Sequence, residues 1–236
     1  MKNIKIVHCG IDFEAEREKL SSNQLQSLGI RYTRIKNQPY DFDPPINKII
    51  DNRKDWYLGK SKPFNQWGLT SRHYGAWLSH KQGIMLGFTD GEHTLVCESD
   101  CKILDVKKFK SRLEEAVKVL DKTEYPIVRF EKPNNWIETN FYNKVSENIL
   151  ECDNVLLGHC YLINNKSKSL FDKMYNSVGW HAPDIWLNIA FERQNQKQLC
   201  FNEELTHQFG GFSEIDKVDI KETDKFVETG VTLKKI

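Results

Sequence analysis

The stretch Leu95-Val96-Cys97-Glu98-Ser99-Asp100 points most directly to chemistry in this 236-residue chain. An apolar run that closes on two carboxylates one residue apart places acids at a strand end. In an open α/β sheet that end is the carboxyl edge, where ligands bind. Glu98 and Asp100 can share a hard divalent cation whose other ligands are water and phosphate oxygens. The same residues also read as a solvated strand-to-loop turn with helix-capping acids. Extended by two residues, Glu98-Ser99-Asp100-Cys101-Lys102 has the acid-x-acid-x-Lys order with which Mg²⁺-dependent nucleases hold an ion and activate water. Here the acids follow the apolar run instead of lying along it. Lys+Arg of 34 against Asp+Glu of 33 gives a net charge of +1. That leaves no basic excess to track a phosphate backbone, so the nuclease is the weaker reading.

The elements that must position these acids follow from hydrophobic spacing. Ile4–Cys9 reads as a short strand. Phe13, Arg17, Leu20, Leu25 and Leu28 follow at helical spacing, with Gly29 as the stop. Arg31–Ile35 is a second strand, followed by a proline-bearing loop from Pro39 to Pro45. Thr70 or Ser71 can cap the next helix, with Trp77, Leu78, Ile84, Met85 and Phe88 on its apolar face. Thr94–Cys97 is a buried strand. Asp105 can cap a further helix that turns Val106, Phe109, Leu113, Ala116, Val117 and Leu120 one way. This alternation predicts an α/β fold, a mainly parallel sheet covered on both faces.

The second half is less regular. Ile127–Phe130 and Val155–Ile163 read as strands around a polar, aromatic, hairpin-like stretch at Trp136–Tyr142. A helix over Ser167–Ser177 follows, then one starting at Pro183, where proline suits the first helical position. Leu199–Phe201 is a last short strand. The charged tail from Asp216 reads as an edge strand or a loosely held end. No linker is seen, so a single domain over 1–236 is expected.

A hydrophobic content of 39% with 11% aromatics excludes a disordered chain. No apolar run nears the ~20 residues of a membrane span. The N-terminus lacks the pattern of a signal peptide, and a cytoplasmic protein is expected. Cys9, Cys97, Cys101, Cys152, Cys160 and Cys200 contain no C-x-x-C pair. They read as reduced, mostly buried thiols, and a structural zinc site is not expected.

Several short segments, taken in order, resemble glycosyltransferase family 25, which includes lipooligosaccharide galactosyltransferases and the collagen galactosyltransferase domain. They are Gly29-Ile30-Arg31-Tyr32-Thr33-Arg34; Gly75 with Ser79-His80 on a helix; Glu98-Ser99-Asp100; Gly158-His159-Cys160-Tyr161; Pro183-Asp184; and Gln208 through Ser213. The likeness spans roughly residues 4 to 215. Two positions depart from it. The opening strand carries His8-Cys9 in place of Asn-Leu, and Ser99 stands where the family has a middle acid.

The resemblance implies a GT-A fold, Rossmann-like with helices on both faces and an irregular acceptor-side second half. The donor-binding half would be about 1–105, the acceptor side about 106–215 and the tail 216–236. It implies an inverting, metal-dependent enzyme that moves a hexose from a nucleotide-diphosphate sugar, UDP-sugar foremost, to an acceptor hydroxyl. The acceptor would be a glycan, a lipid-linked oligosaccharide, a protein or a hydroxylated nucleobase. Mn²⁺ or Mg²⁺ on Glu98 and Asp100, with His207 as a late third ligand and Gln208 as its alternative, would stabilise the departing pyrophosphate. His8, Arg17, Arg34, Ser79, His80, Glu98 and Ser99 would line the donor side. Asp184 would be the base, with Glu192 and His181 in reserve. Trp77 reads as core; Trp180, four residues before Asp184, is the candidate for stacking on an acceptor sugar, ahead of Trp136 and Trp186. A catalytically silent member that binds a sugar or a partner is the alternative.

Overall fold

The computed structural model describes residues 4–11, 15–37, 71–89, 91–131, 139–155, 158–208, 211–213 and 218–220. In chain order the strands and helices are β1 (Ile4–Ile11), α1 (Ala15–Ser27), β2 (Tyr32–Asn37), α2 (Ser71–Gly87), β3 (His93–Glu98), β4 (Cys101–Ile103), α3 (Val106–Lys122), β5 (Ile127–Arg129), β6 (Phe141–Lys144), β7 (Ile149–Cys152), β8 (Cys160–Ile163), α4 (Lys168–Ser177), α5 (Pro183–Arg193), β9 (Gln198–Phe201), β10 (Thr206–Gln208), β11 (Gly211–Ser213) and β12 (Val218–Ile220).

Eight strands form one sheet in the order β2-β1-β3-β8-β5-β9-β7-β6. Only β8 and β7 run against the other six, so strand direction is mostly parallel. The strand-helix alternation of the sequence thus gives the expected α/β sheet. Strand alternation splits the core in two. Ile4, Ile6, Leu95, Cys97, Cys160 and Leu162 face one way and pack with Leu25 of α1, Leu28 just after it and Phe109, Leu113, Ala116 and Leu120 of α3. Val7, Cys9, Val96, Tyr161 and Ile163 face the other way, against α2, α4 and α5.

Local signals account for several boundaries. Asp105 Oδ1 accepts from Lys108 N at 2.9 Å and caps α3. Pro183 occupies the first turn of α5. α2 lies so close to the sheet that a Cβ on Gly83 would meet Val7 Cγ1 at 2.8 Å, and one on Gly87 would overlap Thr94. Both helical glycines therefore serve close approach. Gly29, with φ +69°, turns the chain out of α1 in the left-handed region.

The structure differs from expectation in the second half. The strand expected over Val155–Ile163 is shorter, starting at Cys160. Val155 is instead tied to α5, its N–H donating to Asn188 Oδ1 at 3.2 Å. A Cβ on Gly158 would touch Asp184 Cβ and N at 3.4 Å, so the chain there follows the helix. The hairpin lies later than expected, pairing β6 with β7; Trp136 falls outside the described residues. β4 and β10, which pair with each other, and β7 were not anticipated. In the tail, β12 pairs with β11. No helix among the described residues is long and apolar enough to cross a membrane.

Candidate functional site at the carboxyl edge of the sheet

β1 lies between β2 and β3, and the helices that lead to those two neighbours pack on opposite faces. The carboxyl edge of β1 and β3 is therefore a topological switch point, where open α/β sheets form a crevice. Glu98 ends β3 there, in register with Cys9 of β1.

The Glu98 side chain points to the α2 face. His80 Nε2 lies 2.7 Å from Glu98 Oε1, and His80 Nδ1 lies 2.6 Å from the Tyr161 hydroxyl. One tautomer satisfies both contacts: Tyr161 O–H donates to Nδ1 and Nε2–H donates to the carboxylate. Burial pushes Glu98 upward. The hydrogen bond and charge of His80, with the charges of His159 and Arg129, outweigh it and hold the carboxyl below its usual range. Among the described residues, Glu98 Oε2 has no such partner. Burial also raises the Tyr161 phenol well above its ordinary value, so it remains a donor.

A second buried pair lies behind this chain. The Arg129 guanidinium lies over the Tyr161 ring at 5.5 Å, its Nε is 3.4 Å from Glu131 Oε2, and both residues are buried. Glu131 Oε1 accepts from Cys160 N at 2.6 Å. His159, also buried, is held above its usual pKa. Burial opposes this, but Glu131, Cys101, Asp100 and Glu98 together prevail. His159 O accepts from Glu98 N at 2.9 Å. The carboxylates, imidazoles and guanidinium therefore form one electrostatic cluster under the edge.

Asp184 reaches the same edge from the far side. It sits in the first turn of α5, half-buried, with its backbone and Cβ against Gly158. β8 runs against β3, so residues 158–160, which lead into β8, flank the end of β3. Ser99 is buried and Asp100 half-buried in the turn between β3 and β4. Glu98, Ser99, Asp100 and His80 thus lie at the carboxyl end of β3, with Asp184 against the chain that enters β8.

The other anticipated residues are placed differently. Ser79 is buried, its hydroxyl donating to Gly75 O at 3.0 Å while its carbonyl accepts from Cys9 Sγ at 3.7 Å, a fastening of α2 onto β1. His207 pairs across to Lys102, and its Nδ1 lies 2.7 Å from Glu204 Oε1. Thr206 faces His159 at 3.4 Å instead. His8 is fully buried on the α1/α3 face, where burial, then the Arg34 charge, lower it to about 4. Arg34 stands in register beside it on β2. His181 is buried and also lowered to about 4, by burial first and then by His73. Glu192 is exposed on α5. The side chains of Arg17 and Gln208 lie outside the described residues.

Trp180 does not offer a face to a sugar. It is 1% exposed, tilted against Tyr74 at 4.9 Å and packed in the core with Trp77 and Trp186. The sequence showed its nearness to Asp184 but not that α2 covers it. Tyr161, His159, Arg129 and Glu131 were not singled out as site residues. Their signal was charge or a hydroxyl inside apolar strand runs, which only a buried partner explains.

Neither protein-family models nor curated protein sequences match this chain. Among solved structures, it is similar to A197 from STIV, with a TM-score of 0.43 and 10% identity, covering 96% of this chain and 98% of that one. It is also similar to a putative glucose-1-phosphate thymidylyltransferase from Bacillus anthracis in complex with a sucrose, with a TM-score of 0.46 and 8% identity, covering 87% of this chain and 89% of that one.

Proposed function

We propose that this chain is a GT-A glycosyltransferase that uses a nucleotide-diphosphate sugar. The observation that supports this reading is Glu98 at the end of β3 on the switch-point edge with His80 held between it and Tyr161, Asp100 on the adjoining turn and Asp184 against Gly158. The donor set suits a hard cation: one half-buried carboxylate with an oxygen to spare, and a second on the adjoining turn. Glu98 and Asp100 would hold Mn²⁺ or Mg²⁺, which when bound supplies charge stabilisation to the leaving nucleoside diphosphate. His207 would have to leave Glu204 to join them.

The chain's own residues have separable tasks. The Tyr161–His80–Glu98 chain fixes one carboxylate oxygen and keeps Glu98 ionised. Arg129 and Glu131 hold Tyr161 and the first residues of β8 in place. Asp184 would accept the proton of the acceptor hydroxyl as the inverting attack proceeds.

The alternative, a silent sugar- or partner-binding member, is favoured by one observation: Glu98 and His207 already have side-chain partners. The test is a panel of nucleotide sugars followed by thermal shift with Mn²⁺, then donor hydrolysis without acceptor. A Mn²⁺-dependent shift with slow release of nucleoside diphosphate supports the transferase. A shift without turnover in any acceptor mixture supports the silent member, and neither response rejects both.

A further inference from the structure

We infer that Cys97, Cys101, Cys160 and His8 form a buried site for one thiophilic divalent ion, zinc foremost, on the opposite face of β3 from Glu98. Cys97 and Cys160 are register partners across the antiparallel β3–β8 pair. The neighbouring pair is hydrogen-bonded, Glu98 N to His159 O, so Cys97 and Cys160 occupy the non-bonded position where side chains approach most closely. Their sulfurs are 3.6 Å apart. The turn after β3 brings Cys101 back, and all three sulfurs lie within 4.8 Å of one another, all buried. Tetrahedral zinc with Zn–S near 2.3 Å separates its sulfurs by about 3.8 Å, so the spacing suits the ion.

His8 supplies the independent observation. Its register partner on β3 is Cys97, and alternation puts it on the same face as Ile4 and Ile6, where Cys97 also lies. It is 0% exposed, and neither ring nitrogen has a hydrogen-bond partner among the described residues. A buried polar ring so placed calls for an explanation. His8 is outside the trio as it stands; neighbouring strands are only about 4.8 Å apart, and binding would require a side-chain rotation that turns an imidazole nitrogen toward the sulfurs. Three thiolates and one imidazole are a common structural zinc set. Zinc there would carry one net negative charge, and Arg34 stands next along the same row. Packing alone explains why thiols are buried, but not why three converge one strand away from an imidazole whose nitrogens make no hydrogen bond among the described residues. Such an ion would tie β1, β3, β4 and β8 together directly beneath the acidic turn. The inference does not depend on the proposed transferase activity.

The test is titration of the reduced full-length chain with Co²⁺ alone. One equivalent should give sulfur-to-cobalt charge transfer and tetrahedral ligand-field bands, both displaced by Zn²⁺. Cys101→Ser and Cys160→Ser should lose the charge-transfer band, whereas Cys152→Ser should keep it. His8→Ala should keep sulfur bands but weaken binding by more than the about 10–100-fold typical of outer-shell changes. Glu98→Gln and Asp100→Asn should leave the thiolate spectrum intact, which separates this site from the carboxylate one. Native mass spectrometry of the wild-type chain with equimolar Zn²⁺ should show one bound zinc, independent of how any variant folds. A folded chain without the sulfur band, the band surviving in Cys101→Ser, or a Cys97–Cys160 disulfide formed under these reducing conditions would overturn the inference.

Discussion

The two faces of the central sheet hold opposite kinds of chemistry. Toward α2 and α5, His80, Glu98, Tyr161, Arg129 and Glu131 form a largely buried polar chain joined by hydrogen bonds and an ion pair. Toward α1 and α3, the same strands present Ile6, Leu95 and Leu162, and then His8, Cys97 and Cys160. Cys97 and Glu98 are consecutive residues that the pleat sends to opposite sides. A one-residue slip of β3 would bury Glu98 among leucines and expose the thiols to the crevice. Register is therefore what separates the polar site from the apolar face.

The largest effect expected on the polar face is catalytic. Asp184→Asn should retain donor binding and lower transfer by about 10²–10⁴-fold, measured with saturating donor and acceptor. Transfer within threefold of wild type would assign the base elsewhere. Next comes stability. Arg129→Met leaves Glu131 buried without its cation and should cost on the order of 3–5 kcal/mol in denaturant unfolding. A loss below 1 kcal/mol would mean that water reaches the pair.

Tyr161→Phe removes the donor to His80 Nδ1 and should cost about 1–3 kcal/mol. It should also weaken metal-dependent donor binding, because His80 no longer has its ring fixed. Acidification tests the buried imidazole of His181. Its folded pKa, about 4, lies below the ordinary 6.5, so the unfolded chain binds the extra proton first. The contribution to stability is full above pH 6.5 and is lost as pH falls toward 4. His181→Gln should reduce the slope of unfolding free energy across that window, leaving the share of His8, which is lowered to about 4 as well, and an unchanged slope would remove His181 from the account. Smallest, and on the opposite face, Asp105→Ala removes the α3 cap and should cost about 1 kcal/mol without touching donor binding.

The first half of the fold was legible because its signals are local. Apolar spacing, Gly29 and Asp105 mark elements whose neighbours in the chain are also neighbours in space. The second half was less so. β7 carries Glu151 within an apolar run, its Oε2 accepting from Tyr125 before β5 and from Asn143 of β6. The Val155–Ile163 run looked like one strand because its link to Asn188 is 33 residues away. At the candidate site, residue types and the strand end pointed to Glu98 and Asp100, and the structure puts Glu98 at the end of β3 and Asp100 on the turn after it. The His80 and Tyr161 contacts depend on α2 lying close to the sheet, which Gly83 and Gly87 permit. Trp180 misled because nearness in sequence to Asp184 carries no information about which helix covers it.

Calorimetric titration of UDP into the chain with Mn²⁺ present, beside the same titration of Asp100→Ala, tests the central claim most directly. Saturable, Mn²⁺-dependent binding in the wild type, lost in a variant that retains its circular dichroism and cooperative unfolding, is the predicted result. Equal UDP affinity in the two proteins would contradict a cation held by Glu98 and Asp100.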